Sequence, residues 1–87
     1  MEVIFLRQAH EYIQKAEYGL YLKIEQEIEK IQKNPNTGKR FSGRLCHFLV
    51  HRFFYKRSQY RIAYRIEKNI IIVMTAGREN FYKKLGK

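Results

Sequence analysis

Apolar residues recur at helical spacing in the first third of the chain. Between positions 8 and 16, four of them fall on one face of a helix: Ala9, Tyr12, Ile13 and Ala16. A second and clearer amphipathic helix carries its apolar residues three or four positions apart, with Glu and Lys between them: Tyr21, Ile24, Ile28 and Ile31. This helix should end before Pro35, because a residue that precedes proline disfavours α geometry. The pattern therefore predicts two helices near the N-terminus.

The spacing changes from helical to extended after residue 43. Residues 46–56, CHFLVHRFFYK, are rich in the aromatic and β-branched types that favour strands. Residues 60–67, YRIAYRIE, alternate strictly, so one face is apolar while the other carries Arg61 and Arg65. Residues 70–76, IIIVMTA, are apolar at both parities, as in a central covered strand. A two-residue turn at Lys68-Asn69 would join the last two strands.

The elements combine into one predicted α+β domain over residues 1–87. A short apolar run, Val3 to Leu6, supplies a first strand, and residues 34–43, NPNTGKRFSG, form a loop by composition. The order is β-α-α-β-β-β, with both N-terminal helices packed on one face of an antiparallel sheet. We expect the helices to cover an apolar set on the last two strands: Ile62, Tyr64, Ile66, Ile71 and Val73. The other face should be partly open, because arginines point there.

Composition indicates the cellular compartment of the protein. The 87 residues are 45% apolar, which is ordinary for a folded domain. No apolar run is long enough to span a bilayer, and the first twelve residues lack the features of a signal peptide. A single cysteine, Cys46, excludes an internal disulfide and is expected to be a small buried apolar residue. These features predict a cytoplasmic protein.

Net charge is the part of the composition that says most about binding partners. Eighteen Lys and Arg stand against eight Asp and Glu, which gives a net charge of +10. Six of the eight acidic residues lie in the first 32 positions, so the rest of the chain is strongly basic. Such a field favours polyanions: nucleic acid, an anionic membrane surface or an acidic protein.

The predicted strands place cations and rings on one face of the sheet. Arg52, Phe54 and Lys56 share a parity, and a hairpin near residues 57–59 would bring them to the side of Arg61. Arg78 follows the last strand, and Tyr82 comes four residues later. Cations that bind phosphates and rings that stack on bases are the means of single-strand recognition. The alternative is a solvated sheet face whose cations only aid solubility.

The sequence offers little support for other kinds of catalytic or metal-binding site. The chain has no glycine-rich phosphate loop, no zinc-ligand spacing and no paired acids. His47 and His51 are four residues apart, but on a strand they would lie roughly 13 Å from each other, too far for one metal ion. No metal and no cofactor are expected.

Three segments, taken in order, resemble the RelE/ParE superfamily of bacterial type II toxins. They are residues 31–43, which end in NPNTGKRFSG, residues 60–66, YRIAYRI, and residues 76–82, AGRENFY. The resemblance covers nearly the whole chain and implies a β-α-α-β-β-β fold with a curved antiparallel sheet. It also implies a cognate antitoxin, and the charge of +10 predicts acidic segments in that partner.

The superfamily divides by activity. RelE-like members cut mRNA in the ribosomal A site, whereas ParE-like members poison DNA gyrase and have no nuclease activity. Resemblance to the RelE-like branch implies catalytic roles for Arg61, Arg78 and Tyr82. The predicted RNA-binding residues are Arg52, Phe54, Lys56, Arg57, Lys39, Arg40 and Arg65. The chain departs from many relatives at Gly77, where they have histidine, and at Phe54, where a basic residue is common.

The function predicted from sequence is thus a toxin that acts as a ribosome-dependent mRNA endonuclease and inhibits translation. One alternative is a ParE-like gyrase poison, because the YRI.YRI motif occurs in both branches. Another is a non-toxic, basic nucleic-acid-binding module.

Overall fold

Five strands and two α-helices form the described part of the chain, residues 1–77 of a computed structural model. The strands are β1 (Val3–Phe5), β2 (Lys39–Arg40), β3 (Leu49–Tyr55), β4 (Ser58–Ile66) and β5 (Ile70–Gly77). The helices are α1 (Arg7–Lys15) and α2 (Tyr18–Lys33), and two short 3₁₀ turns span Pro35–Thr37 and Gly43–Leu45. The predicted order is confirmed, and β2 is an additional strand within the predicted loop.

The strands lie in the order β1-β5-β4-β3-β2 within one sheet. Neighbours from β5 to β2 are antiparallel. Strand β1 runs parallel to β5 at the edge, with Val3 opposite Ile70. The sheet is therefore mixed: it is antiparallel from β5 to β2, as predicted, and parallel only at β1.

The helices bury one side of the sheet, which we call the helix face. Its strand residues are Leu49, Phe53, Ile62, Tyr64, Ile70 and Ile72, and α2 contributes Leu20, Ile24, Ile28 and Ile31. The alternation predicted for β4 is confirmed. The prediction for β5 is wrong: Ile70 and Ile72, rather than Ile71 and Val73, belong to this core. A strand that is apolar at both parities gives no signal of which side faces the helices.

A β-bulge changes the orientation of β5 along its length. Ala63 pairs with Met74 and the next residue of β4, Tyr64, pairs with Ile72, so Val73 is the extra residue. After the bulge, Met74 and its second neighbour Ala76 point away from the helices.

The opposite side of the sheet, the far face, combines apolar and charged residues: Val50, Arg52, Phe54, Arg61, Ala63, Met74 and Ala76. Four of these form a small second core: Val50, Ala63, Met74 and Ala76. Phe41, from the segment after β2, packs against this cluster. The far face is therefore only partly open, since its centre is covered.

Tyr64, on the helix face, holds the loop after α2 in place through two hydrogen bonds. Its hydroxyl donates to the Pro35 carbonyl at 2.7 Å and accepts from the Gly38 N–H at 2.9 Å. A Cβ at position 38 would lie 2.5 Å from that hydroxyl oxygen, so glycine is required for the close approach. Burial raises the pKa of the Tyr64 phenol, which stays a neutral donor. Strand β2 is thereby held beside β3.

Two smaller expectations are wrong. Cys46 is exposed, because it follows the 3₁₀ turn and lies outside β3. The connection between β4 and β5 has three residues, Glu67 to Asn69, since Ile66 pairs directly with Ile70. None of the helices in residues 1–77 is both long enough and apolar enough to cross a membrane.

Candidate nucleic-acid interface

Two arginines face each other on the far face, beside the small second core. Arg52 on β3 and Arg61 on β4 are direct partners in the antiparallel ladder. Like charges in this position repel, and the repulsion destabilises the sheet unless an anion lies between them. No ion pair within residues 1–77 involves Arg52. The pair is therefore a candidate site for a negatively charged group.

The exposure of these two arginines differs. Arg52 is exposed, whereas only 8% of Arg61 is accessible. The expectation that Arg61 faces solvent is therefore wrong, although its far-face parity is confirmed. Arg61 lies in the middle strand of the sheet, with Arg52 on one side and the small Ala76 on the other, so its stem is flanked by both strands. Its Nη2 donates to Gln59 Oε1 at 3.0 Å.

An aromatic ring stands beside the arginine pair. Phe54 is 64% exposed and lies two residues from Arg52 on the same side of β3. Its partner across the ladder is Gln59, the residue that holds Arg61. The far face thus brings two arginines next to an exposed ring, and their roles in binding RNA stay predictions.

Two further cations lie at the borders of this group. Lys39 pairs with Val50, whose side chain belongs to the far face, so Lys39 shares that side. Arg57 is exposed at the tip of the β3–β4 hairpin. Both side chains are exposed.

Lys56 is turned away from the predicted group. The hairpin is closed by Lys56 and Arg57, both in the left-handed region with φ of 48° and 68°. The alternation of β3 ends there, and Lys56 Nζ lies 3.4 Å from Glu17 at the start of α2 and 5.4 Å from the Tyr55 ring centre. The Glu17 charge raises the pKa of Lys56. The parity prediction for Lys56 is therefore wrong.

Arg40 and Arg65 also lie apart from the arginine pair. Arg40 pairs with Leu49 of the helix face and donates to the Cys46 carbonyl at 2.8 Å. Arg65 has far-face parity, but it lies four residues along β4 from Arg61, roughly 13 Å. Its guanidinium is bound to the Glu67 carboxylate.

Arg78 and Tyr82 lie outside the described residues. The last described residue of β5, Gly77, pairs with Tyr60. The catalytic roles of Arg78 and Tyr82 therefore stay predictions.

The sequence analysis missed a buried carboxylate on the other side of the sheet. Only 2% of Glu27 is accessible. Its carboxylate lies 2.6 Å from His51 Nε2 and 3.0 Å from the ammonium groups of Lys23 and Lys30. Burial raises its pKa, but these hydrogen bonds outweigh burial and hold the pKa at about 2. A signal was present in the sequence, because Glu27 lies three residues after Ile24 and four before Ile31, within the apolar stripe of α2.

The histidines have separate surroundings. His47 precedes β3 and packs its ring on Phe48, with ring centres 4.2 Å apart. His51 belongs to β3 and contacts Glu27. In residues 1–77, no group of three or more His, Cys, Asp or Glu side chains could hold a metal ion.

Comparisons with known proteins agree with this architecture. Residues 3–86 match a family model described as the ParE-like toxin of type II bacterial toxin-antitoxin systems. The isolated E. coli RelE toxin is similar in structure, with a TM-score of 0.71 and 11% identity, over 97% of this chain and 93% of that one. A chain of the intact E. coli RelBE toxin-antitoxin complex gives a TM-score of 0.69 at 12% identity, over 86% and 93%. No curated protein sequence matches the chain.

Proposed function

Because the chain belongs to the ParE-like toxins of type II bacterial toxin-antitoxin systems, we propose that it is a toxin that cleaves mRNA on the ribosome and thereby inhibits translation. The observation that carries this proposal is the opposed pair Arg52 and Arg61 beside the exposed ring of Phe54. Guanidinium forks bind phosphates, and an exposed ring binds unstacked bases. The fold shared with RelE is a second support.

The proposed chemistry uses the RNA's own 2′-hydroxyl as the nucleophile. The enzyme must align this hydroxyl with the phosphorus, remove its proton, stabilise the phosphorane and protonate the leaving oxygen. Arg61 and Arg78 would stabilise the charge on the phosphorane without changing their own protonation. Tyr82 would handle the protons.

Arg52, Phe54, Lys39 and Arg57 would bind the strand on either side of the cleaved bond. Gln59 would hold Arg61 in position through its 3.0 Å hydrogen bond. We assign weaker roles to Lys56, Arg40 and Arg65, because each side chain already binds another group of the protein.

Dependence on the ribosome follows from this set of groups. The His51 imidazole and the Glu27 carboxylate lie on the helix face and hold each other, so neither serves a substrate on the far face. An enzyme that works with arginines and one phenol gains most when its substrate is presented in the reactive geometry. The ribosome would supply that positioning, and the site of action would be the cytoplasm.

A cognate antitoxin would keep this activity in check. RelE has been solved in complex with its antitoxin. For this chain, with its charge of +10, we propose a partner whose acidic segments cover the far face.

The second candidate function is poisoning of DNA gyrase, which the ParE-like description of the family favours. This reading needs no proton-handling residue. The two functions are separated by primer extension on ribosome-bound mRNA and, in parallel, by gyrase supercoiling.

Two variants, Tyr82→Phe and Tyr82→Ala, distinguish the nuclease from the gyrase poison in these assays. We expect the wild type to cut mRNA and both variants to be slower by about 10²–10⁴-fold, with Tyr82→Ala at least as impaired, because it loses stacking as well as proton transfer. The gyrase function would be favoured if Tyr82→Phe stayed toxic and the protein inhibited supercoiling but left mRNA uncut.

A further inference from the structure

Strand β1 lies at the edge of the sheet and is paired on one side. Its hydrogen bonds to β5 include the carbonyl of Glu2 and the N–H of Leu6, at 2.9 and 3.0 Å. Because backbone groups alternate in direction along a strand, Val3 and Phe5 direct their N–H and C=O groups away from β5. Among the described strands, none lies beyond β1. The edge therefore offers donors and acceptors to a further strand.

The side chains at this edge are apolar and partly exposed. Ile4, Phe5 and Leu6 are 41%, 39% and 37% exposed, and as consecutive residues they lie on both faces of the strand. Natural proteins protect sheet edges with charged residues, proline or a bulge. The opposite edge follows this rule, because β2 consists of Lys39 and Arg40. Strand β1 has none of these features and is the edge suited to association.

The sequence around β1 is complementary to itself in antiparallel orientation. With a two-fold axis at Ile4, Val3 of one copy lies opposite Phe5 of the other, and the outward backbone groups of both residues pair. Glu2 of one copy comes to the end of the strand where Arg7 of the other begins α1, so opposite charges flank the apolar centre. Both charged residues are exposed. An axis at Phe5 would instead place Val3 against the first residue of α1.

This edge also allows two copies to approach without repulsion or overlap at other elements. It is separated by β5 from the strands that carry Arg52 and Arg61. Helix α1 packs on β5, the second strand of the sheet. Three strand spacings, about 14 Å, would separate the β5 strands of two joined copies, which exceeds the 8–10 Å between packed helices. The helical layers therefore leave room for the contact.

We propose that β1 is a self-association site, at which two copies of this chain join their sheets into one. The two β1 strands run antiparallel, with Ile4 at the two-fold axis, and each copy contributes its five described strands. The axis is perpendicular to the sheet, so the far faces of both copies lie on the same side. This inference goes beyond the proposed function and does not depend on it.

Sedimentation equilibrium of the full-length protein tests the association. We expect the average mass of the wild type to rise with concentration from 10.6 kDa toward twice that value. Ile4→Lys should raise the Kd of the dimer about tenfold or more, because two lysines would oppose each other at the axis. Leu22→Lys is the matched control, since Leu22 is 40% exposed on α2 and the charge change is the same. Its Kd should stay close to the wild-type value.

Cysteine cross-linking tests the register without placing a charge in the strand. In a Cys46→Ser background, Ile4→Cys should form a disulfide-linked dimer on mild oxidation. Opposed residues that share no backbone hydrogen bonds have Cα atoms about 4.5 Å apart, within disulfide reach. Phe5→Cys is the control, because the two Phe5 positions would lie about 8 Å apart. It should remain unlinked.

Three results would overturn the proposal. One is a wild-type protein that stays monomeric at every concentration, which would leave the edge to a strand of another protein. The second is a loss of the dimer in Leu22→Lys as large as that in Ile4→Lys. The third is a disulfide through Phe5→Cys in place of Ile4→Cys. If Ile4→Lys does not fold, as judged by circular dichroism, the cross-linking result decides.

Discussion

Arg52 and Arg61 lie opposite each other in the ladder between β3 and β4. Their positions in the ladder bring two positive charges together on one face of the sheet. A sheet selected for stability alone would place an acid or an apolar residue in one of these positions. We predict that the pair serves binding rather than folding, and that the two properties separate on mutation.

Arg52→Gln tests that separation. We expect its free energy of unfolding to equal the wild-type value or exceed it by up to about 1 kcal/mol, because repulsion is relieved, while affinity for single-stranded RNA falls. Urea denaturation and RNA titration measure the two effects. Arg44→Gln, which removes one exposed charge from the 3₁₀ turn at Gly43–Leu45, is the control. A clear loss of stability in Arg52→Gln relative to this control would mean that Arg52 is structural.

Glu27 provides a second prediction at the scale of single residues. Its pKa is about 2 in the folded protein and near 4.5 as a free group. A lowered folded-state pKa contributes stability that is complete above pH 4.5 and is lost as the pH falls toward 2. The contribution is on the order of 3 kcal/mol. Glu27→Gln removes it at neutral pH.

The measurement is the difference in unfolding free energy between wild type and Glu27→Gln as a function of pH. We expect this difference to be largest above pH 5 and to shrink between about pH 4.5 and 2. Glu29→Gln, an exposed neighbour on the same helix, should show no such trend. A difference that does not vary with pH would contradict the assigned network with His51.

At the scale of elements, the β3–β4 hairpin is closed by an unusual turn. Both turn residues, Lys56 and Arg57, have positive φ, a conformation that Asn-Gly adopts far more readily. Glu17 partly compensates by pairing with Lys56, but both side chains are mostly exposed, so the ion pair contributes little. The turn thus keeps Arg57 at the tip at some expense of stability.

Replacing Lys56-Arg57 with Asn-Gly should raise the free energy of unfolding by about 1 kcal/mol, because the strain is removed. Affinity for RNA should fall with the loss of Arg57. The Ala-Ala variant is the control, since it removes the same charges but retains the strain. Equal stabilities of the Asn-Gly and Ala-Ala variants would show that the turn is not strained.

The elements differ in how far the sequence predicts them. The alternation in β4 and the apolar stripe of α2 were sufficient to assign their buried sides, because each pattern has one parity or one face. Strand β5 is apolar throughout, and its bulge at Val73 leaves no mark in the composition. Lys56 was misplaced because parity holds only within a strand. The burial of Arg61 depends on neighbours in two other strands, which no local pattern reveals.

At the scale of the whole molecule, charge is divided between two sides of the sheet. The acidic residues of the first 32 positions lie mainly in the helical layer, where Glu17 and Glu27 pair with nearby cations. The far face carries Arg52 and Arg61. This asymmetry favours a polyanionic partner on the far face, as the proposed function requires.

The central claim is that Arg61 stabilises the reacting phosphate of an mRNA on the ribosome. It is tested most directly by the single-turnover rate of mRNA cleavage in programmed ribosomes for wild type, Arg61→Ala and Arg65→Ala. We expect Arg61→Ala to be slower by about 10²–10³-fold, the usual effect of losing one transition-state donor. Arg65→Ala, whose guanidinium is bound to Glu67, should cut at close to the wild-type rate. The claim would be contradicted if folded Arg61→Ala cut mRNA at the wild-type rate. It would also be contradicted if the wild-type protein left mRNA uncut and inhibited gyrase.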